Sequence, residues 1–233
     1  MTSDPILKKA KKNAEKGTKR RTEKSLKTSA GTTLKGQATR NRLVTEAIYV
    51  FSKQGYNNGS LQEIAKRCGL TQPALFHYFS GKKELIVAAL ERLIIDSFTV
   101  IDALIKPEDS ARKRLENHFY GNLKWGFEYP EQAQLMILVY YLASFDKDFT
   151  KLYRPLLLRG RERVAVYLYA AQREHLLKKD EDVPALALYI YDHLVGSLLT
   201  TFTSDLAATS EETQIKSLKK RWKRLLDQFF VEE

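Results

Sequence analysis

The sequence predicts an all-α fold, with a three-helix head carrying a helix-turn-helix at the N-terminal side and a larger helical body behind it, about nine helices in total. Three observations predict it. Glycine (11) and proline (6) are scarce in a chain of 233 residues. Apolar residues recur at helical spacing over most of the length. No segment shows sustained strand alternation or an internal repeat.

Residues 1–38 carry eleven Lys/Arg against three Asp/Glu, a net of +8 out of a formal +11 for the whole chain. Large apolar side chains are too few there to offset the entropy of ordering, so a disordered basic arm is expected. Such an arm on a near-neutral body points to a polyanionic partner, or else to a solubilising tail. The portion near 6–16 has the composition to become helical on a partner.

Order is expected to begin at Thr39 as an N-cap. Leu43, Val44, Ala47, Val50 and Phe51 then mark the inner face of a first helix, and Gly55 ends it. Ser60 and Glu63 have capping-box spacing before a short second helix, 61–67. Cys68-Gly69-Leu70 forms the turn. Thr71 caps a third helix with Pro73 in its first turn, where a missing N–H costs little. Leu75 and Phe79, four apart, should pack back onto the first two helices. The expected organisation is an arm over 1–38, a head over 39–85 and a body over 86–233.

In the body a long helix is expected from Lys82 to about Leu104, stopped by Pro107. Asp109 or Ser110 starts the next, to Gly126. Tyr129-Pro130 precedes a helix from Glu131 to Ala143. Asp146 caps a segment to about His175 that Pro155 could bend or split. Pro184 opens a helix through Leu206, and Ser210 precedes the last, to Phe230.

The chemistry lies between Ser60 and Phe79. Two short helices joined by a glycine turn let the second project into a major groove about 12 Å wide. Its first turn, Gln72, Pro73 and Ala74, is polar or small and not needed for a core. Gln72 can pair with an adenine edge, while Pro73 and Ala74 can touch a thymine methyl. Phosphate contacts call for hydroxyls and cations: Ser60 with Leu61 at the second helix start, Thr71 at the third, Arg40 on the first, Lys82 on the fourth, and His77 with Tyr78 beyond the recognition turn.

The run Arg40…Leu43-Val44…Ala47…Phe51…Gly55-Tyr56…Ser60-Leu61…Ile64-Ala65…Gly69-Leu70-Thr71…Leu75-Phe76-His77-Tyr78-Phe79…Lys82…Glu84-Leu85 resembles the TetR/AcrR family of bacterial regulators, without a gap over about 47 residues. The resemblance implies a sequence-specific DNA-binding transcriptional regulator, a ligand-responsive repressor that acts in the cytoplasm as a homodimer on a palindromic operator. Its half-sites would lie one helical turn apart, roughly 34–36 Å, or near a multiple of that. Three positions depart from the family pattern. Phe76 stands where a tyrosine hydroxyl usually meets phosphate, Tyr78 where histidine is usual, and Pro73 where glycine is common.

The same resemblance assigns the last two helices to dimerisation. Ile215, Leu218, Trp222, Leu225, Leu226 and Phe229 form one apolar stripe at near-heptad spacing. The preceding helix is apolar on several faces. The middle of the body is rich in amphipathic aromatics, so a cavity for a small-molecule effector, apolar or aromatic, is expected between helices of 110–195. Its candidate lining is Trp125, Tyr129, Met136, Tyr140, Tyr167, Tyr189 and His193, with His118 and Tyr191 nearby in pattern.

Other classes lack their signatures. The four histidines are scattered and none pairs with Cys68, so no metal site is expected. No catalytic constellation, phosphate loop or dinucleotide fingerprint occurs, so neither an enzyme nor a cofactor is expected. No uninterrupted apolar run approaches ~18 residues, and no membrane partner is expected. The remaining alternative is a nonspecific nucleic-acid-binding or helical interaction protein driven by the arm.

Overall fold

The computed structural model describes residues 33–178, 181–203 and 210–231. Among them are nine helices: α1 Leu34–Asn58, α2 Leu61–Arg67, α3 Gln72–Phe76, α4 Lys82–Asp102, α5 Ala111–Glu128, α6 Pro130–Ala143, α7 Lys147–Arg173, α8 Val183–Thr203 and α9 Glu211–Leu226. The only β pairing among the described residues is an isolated bridge, Leu177 to Phe230. The chain forms two compact units, Met1–Arg42 and Leu43–Glu233. Most of the basic arm, 1–32, lies outside the described residues.

The first helix begins at Leu34, six residues before the start expected after a Thr39 cap. Thr33 takes the capping role: its Oγ1 accepts from the Gly36 amide at 3.2 Å. Thr39 is instead interior, its hydroxyl donating to the Lys35 carbonyl one turn back at 3.0 Å. Gly55 breaks α1 as expected, with φ 77° in the left-handed region that favours glycine. Residues 56–58 form a separate turn beyond the break.

Caps set the other boundaries. The α2–α3 turn is a Schellman closure: the Leu70 amide reaches the Ala65 carbonyl and the Gly69 amide reaches Lys66, both at 2.9 Å. Gly69 supplies the positive φ of 64°. Ser110 caps α5 through the Lys113 amide, and Asp146 caps α7 through the Asp148 and Phe149 amides. Pro155 neither splits nor ends α7, which continues through it.

Two hydrophobic clusters make the core of Leu43–Glu233. The first joins Leu43, Phe51, Ile64, Leu75 and Phe79 to α4, to Trp125, to α6 and to the start of α7. The second packs α5, the later part of α7, α8 and α9 around Phe119 and Trp222, whose rings stack at 4.0 Å. Leu218, Trp222, Leu225 and Leu226 of the predicted dimer stripe are thus buried within one chain.

Helices α4 and α5 approach closely where α5 has no side chain. A Cβ at Gly121 would stand 2.8 Å from the Ile101 Cα. Backbone cannot swing away as a flexible side chain can. Gly121→Ala should therefore destabilise the fold by about 1–3 kcal/mol through overpacking, read as a lowered midpoint in chemical denaturation.

Helix α8 reaches a mean hydropathy of 1.3 over 18 residues, enough by length and composition for a membrane span, although Asp192 and His193 interrupt its apolar run. Leu186, Ile190 and Leu194 are buried in the chain, whereas Leu188 and Tyr189 remain exposed.

Candidate nucleic-acid interface and an apolar cavity

A five-residue helix has too few internal hydrogen bonds to persist alone. Tertiary anchors must hold α3, and they do: Leu75 and Phe79 have no exposed surface. Their packing leaves Thr71, Gln72 and Pro73 exposed and Ala74 half-buried. Thr71 Oγ1 accepts from the Ala74 amide at 3.3 Å, and Ser60 Oγ accepts from the Gln62 and Glu63 amides at 3.2 and 3.4 Å. Each hydroxyl, having accepted from backbone, keeps its own proton to donate outward. The capping box is only half closed, because the Glu63 carboxylate accepts from Gln54 Nε2 at 2.8 Å.

Phe76 is 47% exposed beside an exposed His77. Tyr78 and Leu61 are half-buried and pack against the first cluster. Lys82 sits at the start of α4 with Nζ donating to the Asn57 carbonyl at 3.0 Å, above the Tyr56 ring at 5.2 Å. Partial burial lowers its pKa from the usual lysine value. One ammonium proton is committed and two remain. Lys83, next in sequence, pairs with Asp148 of α7 at 2.6 Å. Arg40 belongs to the other unit, on the first turns of α1.

The second feature is a cavity of about 120 Å³ lined by α4, α5, α6, α7 and α8, with exposed Tyr140 and Arg159 among its lining residues. Of the sequence candidates, Trp125, Met136 and Tyr140 line it. Four others stand apart. Tyr129 is exposed at the α5–α6 junction. Tyr167 belongs to the second cluster, its hydroxyl accepting from Arg163 Nε at 3.0 Å. Tyr189 and His193 pair with each other at 5.5 Å on the outer side of α8, where both are exposed. The reason is helical phase: residues two apart cannot share a face. Tyr191 lines the cavity and Tyr189 therefore turns away.

Sequence reasoning missed Tyr153, Asn122 and Arg159, and the α4 contribution from Ile94, Ser97 and Phe98. A signal existed. His118, Asn122 and Trp125 are spaced i, i+4, i+7, and Tyr153, Leu156 and Gly160 are spaced i, i+3, i+7. Gly160 leaves room for the Tyr191 ring, which a Cβ there would meet at 2.2 Å. Burial raises the Tyr153 phenol well above its ordinary value and pushes Tyr191 up to about 12, so both stay neutral hydroxyls.

A polar chain ties this cavity to α4. Trp125 Nε1 donates to Gln132 Oε1 at 3.0 Å, entirely buried. Gln132 Nε2 donates to Asp96 Oδ2 at 2.6 Å, and Arg92 Nε donates to both Asp96 oxygens at 2.8 and 2.9 Å.

His118 is buried to 3% exposure, and its Nδ1 has no hydrogen-bond partner. Burial, with a smaller contribution from the Arg163 charge, lowers its pKa from 6.5 to about 3. Between these values the unfolded chain binds a proton that the folded chain does not. Stability is thus complete above pH 6.5 and falls with pH below it, at up to about 1.4 kcal/mol per pH unit. Wild-type protein should lose about 2 kcal/mol more than His118→Phe between pH 7 and pH 5. Denaturant midpoints at the two pH values measure it, and parallel losses would refute the burial account. Among the described residues no group of three His, Cys, Asp or Glu is placed to hold a metal.

Residues 43–89 match the family described as bacterial regulatory proteins, tetR family. Over 76 residues the chain is 33% identical to the HTH-type transcriptional activator FasR of Mycolicibacterium smegmatis, covering 33% of this chain and 35% of that protein. The match thus spans about a third of that relative's length. Over 192 residues it is 27% identical to YdgC of Bacillus subtilis, an uncharacterized HTH-type transcriptional regulator, covering 76% of this chain and 90% of the relative. A solved transcriptional regulator from Rhodococcus sp. Rha1 superposes with a TM-score of 0.67 at 21% identity, over 83% of this chain and 99% of that one. This last likeness is one of fold.

Proposed function

This chain belongs to the TetR family of bacterial regulatory proteins, and from that premise we propose that it is a sequence-specific DNA-binding regulator whose operator affinity is set by a small molecule in the body. The family is one of transcriptional regulators, not of enzymes. One observation carries the DNA reading: the first turn of α3 is presented to solvent while Leu75 and Phe79 hold its other side in the core.

In this reading Gln72, Pro73 and Ala74 meet base edges. Ser60, Thr71, His77, Tyr78 and Lys82 meet phosphates, with Leu61 and Phe76 packing along the backbone. The working division is an arm, a head over 39–85 and a body over 86–233. A homodimer presents two such heads to a palindrome in the cytoplasm, and the uncovered Leu188 and Tyr189 of α8 support that assembly. Light scattering should give twice the chain mass of 26.8 kDa.

The cavity is the effector site. A ligand that favours one disposition of α4 shifts the population competent for DNA, typically by ~1–3 kcal/mol of coupling. The chain from Trp125 through Gln132 to Asp96 supports α4 as the element that responds. Repression is the mode the family resemblance implies, although FasR is by name an activator.

Fluorescence anisotropy tests the proposal. The protein should prefer a selected palindromic duplex over unrelated DNA by at least about 10³-fold. Equal affinity for every duplex would refute it and leave the arm-driven, nonspecific reading.

A further inference from the structure

We infer that the cavity takes a largely apolar molecule without positive charge through an acceptor oxygen, of carbonyl type, that accepts a hydrogen bond from Nδ1–H of His118. The inference rests on the reading of this cavity as the effector site.

The argument begins with a tautomer. Asn122 Nδ2 donates to the His118 carbonyl at 2.8 Å. That bond fixes the amide, because the reverse orientation would set oxygen against oxygen. The same Nδ2 lies 3.5 Å from His118 Nε2. An amide nitrogen has protons and no lone pair to offer, so a hydrogen bond across this contact has Nε2 as its acceptor. A neutral imidazole has one ring proton, and it is then on Nδ1. This N–H is buried and unpartnered in a side chain that lines the cavity. Native proteins seldom leave such a donor unmatched without a functional reason.

The rest of the wall narrows the ligand. None of the lining residues is Asp or Glu, and Arg159 contributes a positive charge. A cation has no counter-charge there. Ser97 is committed to the Ile94 carbonyl at 3.0 Å. Ile94, Phe98, Trp125, Met136, Leu194 and Phe202 give the site its apolar character. A volume of about 120 Å³ suits a one-ring molecule, since apolar cavities of about 150 Å³ admit benzene.

Two probes of nearly one shape test the donor: acetophenone, which has a carbonyl oxygen, and α-methylstyrene, which has a methylene in its place. Dissociation constants from ligand-observed NMR titrations of the full chain give their ratio in wild type and in His118→Phe. Taking the ratio of ratios cancels the different water affinities of the probes. The ratio should move about 3- to 10-fold against acetophenone in the variant. An unchanged ratio overturns the inference, as does failure of both probes to bind wild type.

A second measurement needs no variant. Long-range ¹H–¹⁵N correlations of the unsubstituted protein should show one neutral histidine with its proton on Nδ1, and a proton on Nε2 of His118 contradicts the inference. Selection of bound duplexes on the same preparation separates the failures. A recovered palindrome without carbonyl preference sinks the ligand assignment alone, and carbonyl preference without a recovered site sinks the DNA reading alone.

Discussion

Leu75→Ala should cost about 2–5 kcal/mol of stability and remove operator binding, while Gln72→Ala, three residues away on the same helix, should leave the denaturation midpoint nearly unchanged. The contrast follows from burial. Leu75 is wholly enclosed, so truncation loses its transfer energy and leaves a cavity. Its backbone also belongs to a helix of five residues that has no independent stability. Loss of this anchor frees the exposed turn to wander, and binding fails even where most molecules remain folded. Gln72 is exposed and makes no core contact. Its removal should instead change which base is preferred at one position in each half-site, at about 1–3 kcal/mol of discrimination. Chemical denaturation and duplex competition on both variants measure the pair. Equal destabilisation, or equal loss of binding with unchanged preference, would contradict this division between anchor and reader.

Gln132→Leu should destabilise the protein by about 1–3 kcal/mol and uncouple the cavity from DNA. Its amide is the only link in the Trp125–Gln132–Asp96 chain that both accepts and donates. A leucine leaves the buried Trp125 Nε1–H without its partner, and an unsatisfied buried donor is costly. Asp96 retains Arg92, so α4 keeps its surface pair and the fold survives. Linkage is reciprocal: if cavity occupancy alters operator affinity, operator must alter the cavity. Adding operator duplex should therefore change the emission of Trp125 in wild type and leave it unchanged in Gln132→Leu. Trp222 lies in the second cluster and provides an internal reference. An equal response in both proteins would show that the coupling runs elsewhere.

The head was legible because its determinants are local. Ser60, Gly69 and Thr71 act within a few residues, and Leu75 and Phe79 follow one helical period, so a linear reading finds them. Thr39 misled because its hydroxyl can cap a helix or bond one turn back, and only the chain before it decides. The cavity was harder to read. Its presence followed from the density of aromatics, but its lining depends on the rotation of each helix, and choosing Tyr189 over Tyr191 amounts to an error of about 200° of helical phase. The contribution of α4 was hidden because Ile94 and Phe98 look like ordinary core. The α9 stripe illustrates the remaining ambiguity: an apolar face does not record whether it packs within a chain or between chains. Leu218 and Trp222 pack within it.

Selection of bound sequences from random duplexes, run in parallel with wild-type protein and Gln72→Ala, tests the central claim most directly. Wild type should enrich a two-fold symmetric site, and Gln72→Ala should enrich the same site with one altered position per half. Identical sites from both proteins, or no enrichment by wild type, would mean that the first turn of α3 does not read DNA.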